Sequence, residues 1–409
     1  MEKDYFSLFF KWLSILPRAT KTYIKYGLLG VFVLLNSNAE IKGQLSKESS
    51  ISILTCAPGD ELYSIFGHTA IRVNDPKLKI DYIFNYGTFD FNTPNFYLKF
   101  LRGQLDYVLS VSTFDRFMLE YKQEQRSVWE QKLNISQEEK EKLFKALMVN
   151  YEPENRAYHY HFFFDNCATR VRDIIAEQVN DTIVFPDQTY IGEMTFRDAI
   201  GTYLQEKPWT RLGLDIILGA PTDDLIDASS VQFLPDYLME QFAAAEMSPS
   251  GDPVIQEETT LQQFQIPSEQ SFLWTPVLWL WILALFVLAY TWRCFKMKKS
   301  SHWLNVLLFS VTTVLGALIT FLWFFTSHSV TGPNWHILWA NPLHLLLIFP
   351  FLQNGSFSGI VRIVLALPVI LLLIVFPFLP QYMPPVLWPV WFMMATRIVF
   401  YNTHKSIWG

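Results

Sequence analysis

The sequence predicts an α+β domain outside the membrane, followed by an all-α transmembrane bundle of about five helices. Two observations carry this prediction: the acidic residues are confined to one part of the chain, and the last third consists of long apolar runs. Residues 271–409 contain no Asp or Glu, although the chain of 409 residues has 38 of them. No soluble surface of that size lacks carboxylates, so this segment is expected to lie in a bilayer.

The N-terminal residues 1–39 have the pattern of a signal peptide or an N-terminal anchor. Arg18, Lys21 and Lys25 precede the short apolar run Gly27–Leu35, and the small residues of 37–39 follow it. This order of a basic region, an apolar region and a small-residue site is typical of export signals. Both alternatives export the residues that follow.

Residues 40–270 differ from the rest of the chain in their charge. They hold 36 acidic and 20 basic residues, which is typical of a soluble domain. We predict an exported domain over 40–245 and a linker over 246–270, where Pro, Gly and Ser are frequent. The net charge of −6 and the lack of a basic patch argue against nucleic acid as a partner.

Local patterns predict three strands and two helices in the exported domain. The strands are 51–55, 69–73 and 80–86, with a turn at 74–77 between the last two. The spacing of Ser136 and Glu139 predicts a capped helix over Ser136–Asn150. A second helix is predicted to begin at Cys167, capped by Asp165 or Asn166.

Five apolar runs predict the membrane spans, each about long enough to cross a bilayer. The seven basic residues of 271–409 then fit one topology, with the exported domain outside and the C-terminus inside. We therefore expect a multi-pass membrane protein whose exported domain lies outside the membrane. The predicted spans are 272–292, 303–325, 335–352, 360–380 and 383–400.

The residue types around Cys167 and His68 suggest nucleophilic catalysis. Free amides and the positive dipole end of a helix stabilise a thiolate, so the pKa of Cys167 is predicted to be lowered. His68 would take the thiol proton, and the Cys167 N–H would donate to an oxyanion. If strand 69–73 pairs with 80–86, Asn85 or Tyr86 falls opposite His68. Asn85 is the predicted residue that orients the His68 ring, and Asp81 is the reserve.

Other roles for these residues remain open. A lone cysteine in a secreted domain is often buried and inert, so Cys167 could have no chemical role. It could also form a disulfide with Cys56. His159, His161 and Asp165 lie close to Cys167 in sequence and suggest zinc, but no second Cys or His pair has suitable spacing. We therefore expect no metal and no cofactor.

The stretch 327–344, before and within the third predicted span, is unusually rich in His, Asn and Trp. One interpretation is an interfacial aromatic belt. The other is a set of contacts to a lipid headgroup at the membrane edge, because polar residues at that depth are often functional. The candidates for headgroup contacts are Asn334, Trp335, His336, Asn341 and His344.

Four sequence motifs resemble those of a known family. They are residues 67–70 (GHTA), 85–91 (NYGTFDF), 154–156 (ENR) and 165–170 (DNCATR). In these motifs and in the stretch 334–344, the chain resembles the Lnb family, membrane-bound lipoprotein N-acyltransferases of Bacteroides and relatives. The order of His before Cys also resembles circularly permuted papain-like enzymes, including NlpC-type peptidases and lecithin–retinol acyltransferase-like enzymes. The resemblance implies a permuted papain-like domain with His68 and Cys167 as the catalytic pair.

The resemblance also implies a reaction. An acyl chain would pass from a phospholipid to Cys167 as a thioester, and then to the N-terminal amine of a diacylated lipoprotein. Asp165 and Asn166 would support the helix start beside the oxyanion. Two alternatives remain: a membrane-tethered cell-wall peptidase, amidase or lipid-ester hydrolase with the same dyad, and a non-catalytic membrane scaffold.

Overall fold

A computed structural model describes residues 44–89, 93–186, 193–265, 272–299, 301–348 and 356–400, so the predicted signal segment 1–39 lies outside the described residues. Within these ranges the exported domain is built on a seven-stranded antiparallel sheet of order β6-β4-β3-β2-β1-β5-β9. Strands β7 (Thr182–Val184) and β8 (Glu246–Ser248) form a second, small sheet. The strands of the large sheet are β1 Ser50–Cys56, β2 His68–Asp75, β3 Ile80–Thr88, β4 Asp106–Thr113, β5 Val128–Leu133, β6 Ala157–His159 and β9 Ile255–Gln262.

The predicted local elements of this domain are confirmed. All three predicted strands form, and the helix after Ser136 has the predicted capping box with Glu139. The helix predicted at Cys167 begins there, and its cap is Asn166, not Asp165. The helices are α1 Phe96–Leu101, α2 Phe114–Gln123, α3 Gln137–Tyr151, α4 Cys167–Gln178, α5 Phe196–Thr202, α6 Pro208–Ile217 and α7 Pro235–Ala243.

Helices cover both faces of the sheet. On one face Phe117 and Tyr121 of α2 pack on Ala70 and Ile83. On the other face Phe144 of α3 meets Phe84, with ring centroids 6.4 Å apart. Successive strand residues point to opposite faces, which is why neighbouring positions of β3 serve different helices. Helix α4 packs on β2 and β3 and so brings its first residue to the two central strands.

The predicted linker 246–270 is wrong where residues 246–248 and 255–262 form strands. Residues 255–262 form β9, an edge strand that pairs with β5 over Val128–Leu133. Most side chains of β9 are exposed and polar, so the strand lacks the apolar alternation by which a half-buried strand is recognised. The exported domain therefore extends beyond residue 245, to at least Gln262.

The C-terminal part is helical. Within its described residues it has four α-helices, and two of them, α8 and α9, are long and apolar enough to cross a membrane. The other two contain shorter apolar stretches, 363–378 and 385–399. The four helices are α8 Pro276–Lys296, α9 His302–Phe324, α10 Ser356–Val375 and α11 Trp388–Val399.

Contacts place three ends of these helices beside the exported domain. The Trp209 indole donates to Trp274 O (2.7 Å) at the start of α8, and Ser327 N donates to Arg102 O (2.8 Å) after α9. Both of these bundle ends therefore lie on the side of the exported domain. Tyr382 lies there too, because its amide donates to Asp223 of that domain (3.1 Å).

The third predicted span, 335–352, is not a continuous α-helix in its described residues. Two 3-10 helices, Trp335–Leu338 and Pro342–Leu347, run antiparallel along α9. Thr312 hydrogen-bonds His344 (3.0 Å), and one turn further along α9, Gly316 lies against the backbone at residue 340. Pro342 lacks an N–H and so interrupts the helical hydrogen-bond pattern. An apolar run gives no sign of this, since its length and hydropathy are those of a spanning helix.

Gly316 should be indispensable to this packing. A Cβ there would lie 2.4 Å from Ala340 O and 2.6 Å from Pro342 N, both backbone atoms. We expect Gly316→Ala to cost about 1–3 kcal/mol of stability, the usual range for overpacking. The measurement is the temperature at which the purified protein in detergent loses its monodisperse peak.

Gly213→Ala is the matched control, because no atom lies within 4 Å of a Cβ at Gly213 in the interior of α6. That variant should gain about 0.5–1 kcal/mol from the lower conformational freedom of alanine. Equal behaviour of the two variants would contradict the close approach of the two backbones.

Candidate functional site

The start of α4 holds Cys167 in place through its cap. The Asn166 Oδ1 accepts hydrogen bonds from the amides of Ala168 (2.9 Å) and Thr169 (3.0 Å). Its amide nitrogen donates to Phe233 O (2.7 Å), which ties the helix start to the segment before α7. Asn166 thus caps the helix directly beside the Cys167 sulfur.

The Cys167 thiol is buried, with 8% of the residue exposed. Burial raises the pKa of the thiol, and the backbone amides of Thr69, Ala168 and Cys167 oppose this without outweighing it. The prediction of a lowered pKa is therefore wrong: the helix start acts in the predicted direction, but desolvation of the thiolate is the larger effect. The contact with Thr69 sets the sulfur beside the residue that follows His68.

Gly87 allows β3 to approach this helix start. It has a φ of +85°, which L side chains rarely adopt. A Cβ on it would lie 3.6 Å from the Cys167 Cβ and 3.3 Å from the ring of Tyr160. Tyr160 in turn stacks on Tyr107 of β4, with centroids 4.2 Å apart. These aromatic rings form an apolar wall beside the thiol.

His68 is the first residue of β2, and its ring is held by Asn85. The distance between His68 Nε2 and Asn85 Oδ1 is 3.3 Å. Ile71 pairs with Phe84 at the end of the β2–β3 ladder nearest His68, and Asn85 directly follows Phe84 in β3. An amide oxygen only accepts, so Nε2 carries the proton and Nδ1 is the nitrogen that can receive one.

The imidazole is neutral over the physiological range. Burial and the charge of Arg126 lower the pKa of His68 to about 4, against a smaller opposing effect of the Asn85 hydrogen bond. The Cys167 thiol and the His68 imidazole are therefore both uncharged near neutral pH. This arrangement suits proton transfer during attack, not a resting thiolate–imidazolium pair.

Asp81, the reserve partner for His68, is occupied elsewhere. Arg72 binds its carboxylate in a bidentate manner (2.8 Å for both contacts) and also binds Glu130. Asp81 lies four residues along β3 from Asn85, which is about 13 Å in a strand. The structure therefore brings Asn85, and not Asp81, to His68.

Asp165 lies beside the site in an ion pair. Its carboxylate binds Arg170 through two contacts, and the Arg170 guanidinium lies 4.1 Å from the centroid of the Tyr158 ring. The amide of Asp165 donates to His161 O (2.8 Å), which closes the turn before Cys167. Asp165 thus supports the loop that leads to the helix start.

The three cysteines are free thiols, so Cys56 and Cys167 are not joined. Cys56 is fully buried, and burial raises the pKa of its thiol to about 12, which makes it a poor nucleophile. Among the residues that the structure describes, no group of three or more His, Cys, Asp or Glu side chains could hold a metal ion.

The predicted headgroup contacts are mostly inside the protein, which corrects that prediction. Asn334, His336 and His344 are buried, at 1%, 0% and 0% exposure. Asn334 donates to Ile216 O (2.9 Å), and His336 Nε2 lies 3.1 Å from Asp215 O. Asn334 and His336 thus connect the bundle with the exported domain, while His344 hydrogen-bonds Thr312 within the bundle.

The remaining two candidates of that set differ from each other. Asn341 accepts from the amide of Leu343 (2.9 Å) and so caps a 3-10 helix. Trp335 keeps 37% of its surface exposed and fits the interpretation as an interfacial aromatic residue.

Sequence patterns missed three contributors to the site. Nothing in the sequence marked Tyr107 as part of the site, because a half-buried aromatic residue in a strand usually serves only in packing. The backbone amide of Thr69 could not be recognised either, since its role depends on the packing of α4 on β2. Tyr160 lies in the stretch that leads to Cys167, and that proximity is the one signal that could have found it.

Comparisons with known proteins cover most of the chain in two parts. Residues 39–197 match the family model of the Lnb N-terminal periplasmic domain, and residues 267–406 match that of the Lnb transmembrane domain. Neither the curated proteins nor the solved structures contain a match. The first match includes His68, Asn85 and Cys167.

The low pKa of His68 predicts that the reaction rate of Cys167 falls only at an unusually acidic pH. Below about pH 4 the imidazole is protonated and cannot accept the thiol proton; above it the base is available. The rate at which a water-soluble p-nitrophenyl ester acylates Cys167 should thus be constant from about pH 8 to about pH 5 and fall through about pH 4. Release of p-nitrophenol per protein measures this rate.

The Cys167→Ser variant gives the background of this assay, because Cys56 remains a buried thiol. A fall centred on the ordinary histidine pKa, about 6.5, would mean that the ring is solvated and the geometry of the site is wrong.

Proposed function

The chain belongs to the Lnb family and is a membrane protein with a periplasmic domain, and from this premise we propose that it is a lipoprotein N-acyltransferase. It would move an acyl chain from a phospholipid, through a thioester on Cys167, to the N-terminal amine of a diacylglyceryl-cysteine lipoprotein. The observation that carries this proposal is the arrangement of Cys167 at a helix start beside β2, with Asn85 holding His68.

The first step would form the thioester. As the Cys167 sulfur attacks the ester carbonyl of the phospholipid, His68 Nδ1 takes the thiol proton, because the raised pKa of Cys167 disfavours a free thiolate. The negative charge that develops on the carbonyl oxygen would be stabilised by the N–H of Cys167. Collapse of the tetrahedral intermediate breaks the ester C–O bond, and His68 returns its proton to the departing lysophospholipid oxygen.

The second step would transfer the acyl group. The lipoprotein α-amine attacks the thioester carbonyl, and His68 accepts a proton from the attacking nitrogen. The C–S bond breaks, the sulfur regains a proton, and the amide is released. This sequence is covalent catalysis in which one base serves both halves of the reaction.

The architecture supports a reaction between two lipid-anchored substrates. The helical part joins the exported domain through α6, so the site is held close to the membrane surface. We propose a multi-pass protein of the inner membrane with the site on the periplasmic side. The antiparallel sheet and the order of His before Cys also support a permuted papain-like domain.

Cys167→Ser should abolish N-acylation. With the same histidine as base, a serine hydroxyl is a far weaker nucleophile than a cysteine thiol. We therefore expect the rate of N-acylation to fall at least about 100-fold. The measurement is mass spectrometry of the N-terminal peptide of a diacylated lipoprotein, incubated with phospholipid vesicles that contain the protein.

Cys294→Ser is the matched control, because Cys294 lies in α8 and is a buried free thiol outside the site. It should retain activity. Amide-linked acyl chains in the Cys167→Ser sample would contradict the proposal, and release of free fatty acid without amide by the unaltered protein would favour the hydrolase.

Substitution of His68 should reduce the rate of N-acylation more than substitution of Asn85. We expect His68→Gln to lower kcat by about 10²–10⁴-fold through loss of the base, and Asn85→Ala to lower it by about tenfold through loss of ring orientation. Asn85 raises the pKa of His68, so Asn85→Ala should also move the acid limb to lower pH.

Asn180→Ala, at an exposed asparagine after α4, is the control for Asn85. If Asn85→Ala reduced activity and left the acid limb in place, Asn85 would be only a packing residue.

A further inference from the structure

Helix α1 (Phe96–Leu101) presents large apolar side chains outside the fold. The exposed fractions are 80% for Tyr97, 53% for Leu98 and 53% for Phe100. Phe96 alone points inward, where it packs on Phe89. A patch of this kind on a water-soluble surface indicates a binding face.

This helix lies at the outer end of a membrane helix. Arg102 O, directly after α1, accepts from Ser327 N (2.8 Å), and a Cβ on Gly103 would lie 3.0 Å from the His328 ring. Ser327 and His328 follow α9 by three and four residues. The last residues of α9 and its cap, Phe324 and Phe325, are themselves 61% and 63% exposed. The apolar face of α1 is thus continuous with the surface that α9 presents to lipid.

The charge of this stretch also differs from that of its domain. Residues 91–105 contain Lys99 and Arg102 and no acidic residue, whereas residues 40–270 have 36 acidic and 20 basic residues. Cations next to apolar and aromatic side chains are typical of helices that lie in the headgroup region of a bilayer. A phosphate-bearing surface complements this stretch, while it would repel most of the acidic domain.

We propose that α1 is an interfacial helix that lies in the outer leaflet of the membrane. Tyr97, Leu98 and Phe100 contact the boundary of the acyl chains, and Lys99 and Arg102 bind lipid phosphates. The occupant of this face is the phospholipid surface itself.

The same helix leads to the wall of the thiol site. The chain passes from Arg102 into β4, where Tyr107 stacks on Tyr160, and Tyr160 lies against Gly87 beside Cys167. A lipid held at α1 is therefore at the membrane-facing end of the elements that line the site. The depth of α1 is independent of the chemistry at Cys167, so the inference goes beyond the proposed reaction.

The test measures the depth of α1 in the full chain. Leu98→Cys is introduced into the Cys167→Ser variant, labelled with a small fluorophore and reconstituted at low protein-to-lipid ratio into phosphatidylcholine–phosphatidylglycerol vesicles. Some of the lipids carry a doxyl quencher near the headgroup end of the acyl chain. The two remaining native cysteines are buried, so the label goes to residue 98.

Leu78→Cys is the matched control. Leu78 is a leucine with 43% exposure in the turn after β2, at the opposite end of that strand from His68, about 24 Å away. We expect doxyl lipids to quench the fluorophore at residue 98 at least about threefold more strongly than the fluorophore at residue 78.

Equal quenching at the two positions would overturn the inference. So would protection of residue 98 from both doxyl lipids and an aqueous quencher, since the face would then be covered by protein, for instance a second copy. Because Cys167→Ser is inactive by design, neither outcome depends on whether the chain acylates lipoproteins.

Discussion

One buried guanidinium connects the exported domain with the membrane bundle. Arg197 of α5 is 4% exposed and donates to Asp223 (2.7 Å), to Thr222 (2.7 Å) and to the carbonyl oxygens of residues 215, 218 and 219. A buried charge is tolerated only when its donors are matched, so these segments have little freedom to move apart. The carboxylate of Asp223 in turn accepts from the amide of Tyr382 in the bundle.

The segments that Arg197 gathers are also those that touch the bundle. Leu212 and Ile216 of α6 belong to the same hydrophobic core as Trp339 and Trp391. The Gln381 amide donates to Leu218 O (3.0 Å) from the bundle side. The described residues from Ser46 onward form one compact unit, so this joint sets the position of the thiol relative to the helices of the bundle.

Much of the exported domain and of its candidate site follows from local chemistry. Strand-like runs separated by turn residues predicted β1, β2 and β3. The predicted pairing of β2 with β3 is observed, and Asn85 does contact His68. The Cys167 helix start was equally visible, because Asn166 is a strong N-cap. The pKa of Cys167 was not predictable, since burial depends on how α4 packs against β2 and β3.

The sequence-based predictions that the structure contradicts failed for a common reason. Strand β9 is recognised only through its pairing with β5, because its own side chains are mostly polar and exposed. Asn334, His336 and His344 looked like surface groups, since a sequence does not show that their polar atoms have partners far away in the chain. Buried polar side chains and edge strands depend on tertiary contacts, which local patterns do not encode.

The irregular third segment of the bundle depends on the helix beside it. A continuous α-helix satisfies its own backbone in lipid, whereas the two 3-10 helices of 335–347 are short and interrupted. Asn334 and Asn341 accept hydrogen bonds from amides within this segment, Thr312 of α9 hydrogen-bonds the His344 ring, and Gly316 of α9 permits the two backbones to approach. The conformation of this segment is therefore fixed partly by α9, a dependence that a helix with a continuous backbone hydrogen-bond pattern would not have.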